Sequence, residues 1–98
     1  MPVLSASEIQ QKLIPLPGWA MVQGEIVRNA TFEDFLTAMA FVDRVAALAE
    51  GAGHHPDIDI RYNKVRLALV SHDAGGITEK DLDMATDIEK LLRANQKS

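Results

Sequence analysis

A chain of 98 residues with 47% hydrophobic and 24% charged residues has the composition of one small globular domain, spanning 1–98. Ten Lys and Arg against fourteen Asp and Glu leave a formal charge of -4, too little positive charge for a protein that binds nucleic acid directly through its phosphates. With no cysteine, the chain has no disulfides, thiolate metal sites, iron–sulfur clusters or cysteine nucleophiles, and a reducing cytoplasmic setting is expected.

Met1 to Ile14 is interrupted by polar residues throughout, so neither a signal peptide nor a membrane span is expected there. Ser5 and Glu8 have capping-box spacing, and Ala6, Ile9 and Leu13 then recur at helical intervals, which predicts a short first helix ended by Pro15 and Pro17-Gly18. A strand is expected from Trp19, with Val22, Ile26 and Val27 arranged around a turn at Gly24-Glu25. Thr31 and Asp34 repeat the capping spacing. Phe35, Met39, Val42, Ala46 and Ala49 trace the stripe of what reads as the longest helix, closed at Gly51-Ala52-Gly53.

After His54-His55-Pro56, the run Asp57 to Tyr62 alternates, with Ile58, Ile60 and Tyr62 on one face. Asn63-Lys64 is expected to turn the chain into a second strand in which Val65, Leu67 and Leu69 alternate with Arg66, Ala68 and Val70, up to His72. Asp73 to Ile77 reads as a loop. Thr78 and Asp81 cap a last helix with Ala85, Ile88 and Leu92 inward, followed by a polar tail from Asn95 to Ser98. The order α-β-β-α-β-β-α predicts an α+β fold: a four-stranded antiparallel sheet with helices on one face, leaving the other for a partner. A chain of this size buries about two-thirds or less of its unfolded surface, so self-association is expected.

All three histidines fall between 54 and 72, and an antiparallel hairpin brings the start of one strand beside the end of the next. His54, His55 and His72 should therefore converge at one end of the sheet. Imidazole exchanges protons near neutrality, which makes this cluster a candidate for general acid/base work. Glu50, four residues before His54, and Asp81, in the first turn of the last helix, are placed to orient an imidazole. Three histidines with a carboxylate also have the donors for zinc, but adjacent His54 and His55 point apart in an extended segment and no H-E-x-x-H is present, so no metal is expected. Glycine spacing for a nucleotide phosphate is missing as well.

The pieces Glu50-Gly51-Ala52-Gly53-His54-His55-Pro56, Tyr62-Asn63-Lys64-Val65, Ser71-His72-Asp73 and Gly75-Gly76-Ile77-Thr78 together closely resemble the pterin-4a-carbinolamine dehydratases. Gly18-Trp19 and Phe41-Val42-Asp43-Arg44-Val45-Ala46 extend the likeness over most of the chain. The resemblance implies the same fold, assembly as a homodimer or homotetramer, and dehydration of 4a-hydroxytetrahydropterin to quinonoid dihydropterin without a cofactor. By motif, His54 and His72 resemble the acid/base pair and His55 the histidine that holds the pterin. Gly53, Val70, Ser71 and Asp73 match segments that line the substrate, and Glu50, Pro56, Trp19 and Asp81 match supporting positions. The chain departs from many members in its small Gly51-Ala52-Gly53 run and in Ala30, where an aromatic residue is common.

Two other roles are compatible with the resemblance. Animal members bind a transcription factor's dimerisation segment and dehydratase-like proteins elsewhere are assembly factors, so a non-catalytic interaction protein is one alternative. An accessory role in molybdopterin metabolism is the other. The complete set of three histidines favours the enzyme.

Overall fold

The computed structural model describes residues 2–96. Its elements run α1 (Ala6–Lys12), β1 (Trp19–Val22), β2 (Glu25–Thr31), α2 (Phe35–Ala52), β3 (Asp57–Arg61), β4 (Lys64–Leu69) and α3 (Glu79–Gln96). The strands form one antiparallel sheet in the order β1-β2-β4-β3, so each hairpin contributes one central and one edge strand. This is the expected α+β order.

The register decides which side chains share a face, because Cα partners across a ladder point the same way. Ile26 opposes Leu69, Ala30 opposes Val65 and Arg28 opposes Leu67, and this face meets the helices. There Ile26, Val65, Leu67 and Leu69 join Ile9 of α1, Ala38, Phe41, Val42 and Val45 of α2, and Leu82, Ala85, Ile88 and Leu92 of α3 in one core. Phe32 and Phe41 stack within it with ring centroids 5.0 Å apart, a distance at which aromatic quadrupoles attract.

The caps are sequence chemistry carried out locally. Ser5 accepts from the Glu8 N–H while Glu8 accepts from the Ser5 N–H, a complete capping box, and the Ser5 N–H, aided by the Ser5 hydroxyl, holds the Glu8 carboxyl below its ordinary value. At α2 the cap is Asp34, not Thr31: Asp34 accepts from the Thr37 N–H at 2.8 Å, which lowers its carboxyl, while Thr31 ends β2. The buried stripe also differs in part from the expected one. Ala38, Phe41, Val42, Val45 and Ala49 face inward, whereas Phe35 and Ala46 are exposed and Met39 is half-buried. Val42 and Ala49 are buried as expected, while Phe35, Met39 and Ala46 give way to Ala38, Phe41 and Val45.

Other boundaries shift for similar local reasons. The first hairpin turns at Gln23-Gly24, both with positive φ (49° and 83°), so Glu25 already belongs to β2. The second turns at Tyr62-Asn63, with Lys64 opening β4. Tyr62, at φ 53° and 68% exposed, leaves the face of Ile58 and Ile60. Strand β4 stops at Leu69, ahead of His72, and α3 equals α2 in length at 18 residues by continuing through Asn95 and Gln96. Of the expected polar tail, Lys97 and Ser98 lie outside the described residues.

Candidate active site

The histidine end of the sheet is assembled from three chain segments. Helix α2 closes at Gly53, whose left-handed φ of 64° is the conformation glycine adopts most cheaply, and this turns the chain sharply into His54-His55-Pro56. Pro56, half-buried, leads into β3. Asp57 pairs with Ala68, so the segment before β3 and the segment after β4 leave the sheet at the same end. Beyond β4, Val70 is half-buried and Ser71 bridges Gly76, closing a tight loop in which the Gly75 N–H donates to the His72 carbonyl at 3.2 Å. The His72 and Asp73 side chains project from that loop into solvent.

Asp81 joins these segments. Its carboxylate is fully buried in the first turn of α3; Oδ1 lies 2.5 Å from His54 Nε2, and Oδ2 accepts from Ser71 Oγ and from the Thr78 N–H, each at 2.9 Å. Because the Ser71 hydroxyl proton is committed to Asp81, the 2.8 Å contact between Ser71 Oγ and Thr78 Oγ1 is donated by Thr78. Among the described residues no buried side-chain polar atom lacks a hydrogen-bond partner, as a buried network requires. A carboxylate can only accept, so His54 presents Nε2–H to Asp81, and its Nδ1 takes no part in that bond. The His54 ring keeps 11% of its surface exposed.

His55 takes the other carboxylate. Its Nε2 lies 2.8 Å from Glu50 Oε1, and both side chains are largely exposed. Each carboxylate thus meets one imidazole: the αL turn at Gly53 swings His54 inward to Asp81 and leaves His55 on the rim beside Glu50. Trp19 is buried away from this cluster. Its indole N–H donates to Glu89 Oε1 at 2.9 Å, and Glu89 follows Asp81 by eight residues, about 12 Å along α3.

Two hollows flank this end. One, of about 180 Å3, is lined by His54, Ala52, Lys80 and Met84; the other, of about 130 Å3, by Ser71, Asp73, Thr78 and Lys80. Both are smaller than a typical enclosed ligand pocket, so a bicyclic ligand would lie across them rather than inside. Lys80 borders both and Thr78 orders the Ser71 hydroxyl. Sequence pattern assigned Thr78 only a capping role and drew no attention to Lys80, whose place follows from the helix start alone. Among the described residues no group of three His, Cys, Asp or Glu is disposed to hold a metal ion.

The site thus centres on a histidine hydrogen-bonded to a buried carboxylate at the rim of an α+β sheet. The family model for pterin 4 alpha carbinolamine dehydratase matches residues 2–91, and the chain belongs to that family. It is 59% identical to a protein of Acidobacterium capsulatum over 92 residues, 94% of this chain and 100% of the relative, and 55% identical to one of Chloroflexus aurantiacus over 94% and 99%; both are provisionally named pterin-4-alpha-carbinolamine dehydratase. A Brucella melitensis crystal structure, described as a transcriptional coactivator/pterin dehydratase, superposes with a TM-score of 0.87 at 36% identity, covering 91% of this chain and 97% of that one. A pterin dehydratase-like protein described as a RuBisCO assembly factor shares the fold at 24% identity and a TM-score of 0.61, covering 74% of this chain and 84% of that one.

Proposed function

We propose that the protein is a 4a-hydroxytetrahydrobiopterin dehydratase that expels water from the carbinolamine by histidine acid/base catalysis. The observation that carries this reading is the Asp81–His54 pair beside the His72 loop, within a chain that belongs to the carbinolamine dehydratase family. In the reaction the C4a–O bond breaks, the hydroxyl leaves as water after taking a proton, and the adjacent ring nitrogen loses its proton as the C=N bond forms. His54, oriented through Nε2, exchanges the proton at Nδ1, and His72 serves the opposite end of the reacting group. Asp81 stabilises the imidazolium form of His54, and Ser71 and Thr78 hold Asp81 in place.

His55, held at the rim by Glu50, contacts the pterin together with Gly53, Val70, Ser71 and Asp73, and Pro56 fixes the direction of the histidine pair. The scheme uses protein protons alone and needs no cofactor. The working form is a homo-oligomer: Leu36 is 78% exposed and Phe35 44% exposed at the start of α2, apolar surface that a second copy would cover. Among the described residues no helix is long and apolar enough to cross a membrane, and the cysteine-free composition fits the cytoplasm.

The deciding experiment follows loss of a synthetic carbinolamine spectroscopically with added protein. Acceleration that falls in both His54→Ala and His72→Ala supports the scheme, and an unchanged rate in both removes it. Folded protein without any acceleration shifts the role to protein interaction.

A further inference from the structure

The sheet face turned away from the helices carries a second polar site, at the opposite end from the histidines. Three of the ten cations of the chain, Arg61, Lys64 and Arg66, occur within six residues of sequence. The register sets them in two adjacent rows: Thr31, Lys64 and Arg61 in one, Asn29, Arg66 and Asp59 in the next. With Ala30 and Val65 these six residues line a depression of about 480 Å3, more than twice the volume of either hollow beside His54 and Ser71. Against three cations stands one carboxylate, Asp59, which approaches Arg61 at 3.3 Å in an exposed contact. Among the described residues, Lys64 and Arg66 make no ion pair or side-chain hydrogen bond.

We propose that this depression binds a phosphate-bearing small molecule. Lys64 and Arg66, two residues apart on β4, project in parallel about 6.7 Å from each other, so one compact anion can be met by both. The Thr31 hydroxyl and the Asn29 amide add neutral donors on the flanking strand, and a phosphate has enough acceptor oxygens to use them all. The volume is that of a ligand pocket rather than of a single ion site. An extended polyanion is disfavoured because the chain as a whole carries -4 and Asp57 continues the same face beyond the depression, so the positive field is confined to these two rows.

The test is amide chemical-shift mapping of the whole protein at low ionic strength with inorganic pyrophosphate, an organic phosphate monoester and succinate as separate probes. Its readout does not depend on dehydratase turnover. A phosphate probe should bind with Kd of about 1 mM or tighter, shifting residues 29, 31, 61, 64 and 66, and K64Q/R66Q should weaken it by about tenfold or more while its spectrum stays folded. Preference for the monoester over pyrophosphate assigns the source to an organic phosphate, and the reverse to a free one. Shifts centred on Lys80, equal affinity in K64Q/R66Q, succinate binding as tightly as phosphate, or no saturable shift would each overturn the proposal.

Discussion

Helix α3 sends two carboxylates to the sheet, and they do different work. Asp81 is fully buried and holds His54, Ser71 and the Thr78 backbone; Glu89, 14% exposed, holds the Trp19 indole and Arg28, whose Nε lies 2.6 Å from Glu89 Oε1. Both clusters lock α3 onto strands or loops distant in sequence. The first ends in an imidazole, which can both donate and accept a proton; the second ends in a guanidinium and an indole, which only donate. Burial and hydrogen bonding alone therefore do not mark a site. What distinguishes the proposed site is an imidazole at the open end of the network.

The contrast is sharpest at His54. Replacing it by alanine should lower kcat by about 10²–10⁴, the usual worth of a positioned acid/base group, without a comparable change in KM. Next comes Asp81→Asn, which keeps the shape but loses the charge that supports the imidazolium. A charged hydrogen bond is worth about 1.5–3 kcal/mol, so kcat should fall about 10- to 150-fold, with lower thermal stability as the Ser71 and Thr78 bonds rearrange.

At the other carboxylate the expectation separates stability from rate. Glu89→Gln should cost about 1.5–3 kcal/mol in denaturant unfolding and leave kcat of the folded protein unchanged, since Arg28 loses its counter-charge but no proton acceptor of the reaction is touched. A kcat loss as large as that of Asp81→Asn would erase the distinction between the two clusters. The smallest effect is expected from Gly18→Ala: its Cβ would lie 2.5 Å from Arg28 Nε and 2.7 Å from Cζ, nudging the guanidinium off Glu89. A loss of about 1 kcal/mol, about 4–8 °C in Tm for a chain this short, should appear in thermal melts.

Much of the first cluster was legible beforehand. Hairpin geometry placed the three histidines at one sheet end, and capping-box spacing put Asp81 in the first turn of α3. Which carboxylate met which histidine was not legible, because spacing placed both Glu50 and Asp81 to orient an imidazole and only the αL turn at Gly53 sends His54 to Asp81 and leaves His55 to Glu50. Glu89 had no signal at all: a glutamate flanking a helical stripe looks like surface charge until the sheet is brought against it.

Periodicity, caps and turn residues were sufficient for the type and order of all seven elements, because those preferences act over a few neighbouring residues. The rest of the buried face of α2 beyond Val42 and Ala49, the turn at Tyr62 and the partners of Asp81 and Glu89 were decided by tertiary structure. They depend on which face finds a core and on which polar atoms, tens of residues apart, must satisfy one another once water is gone.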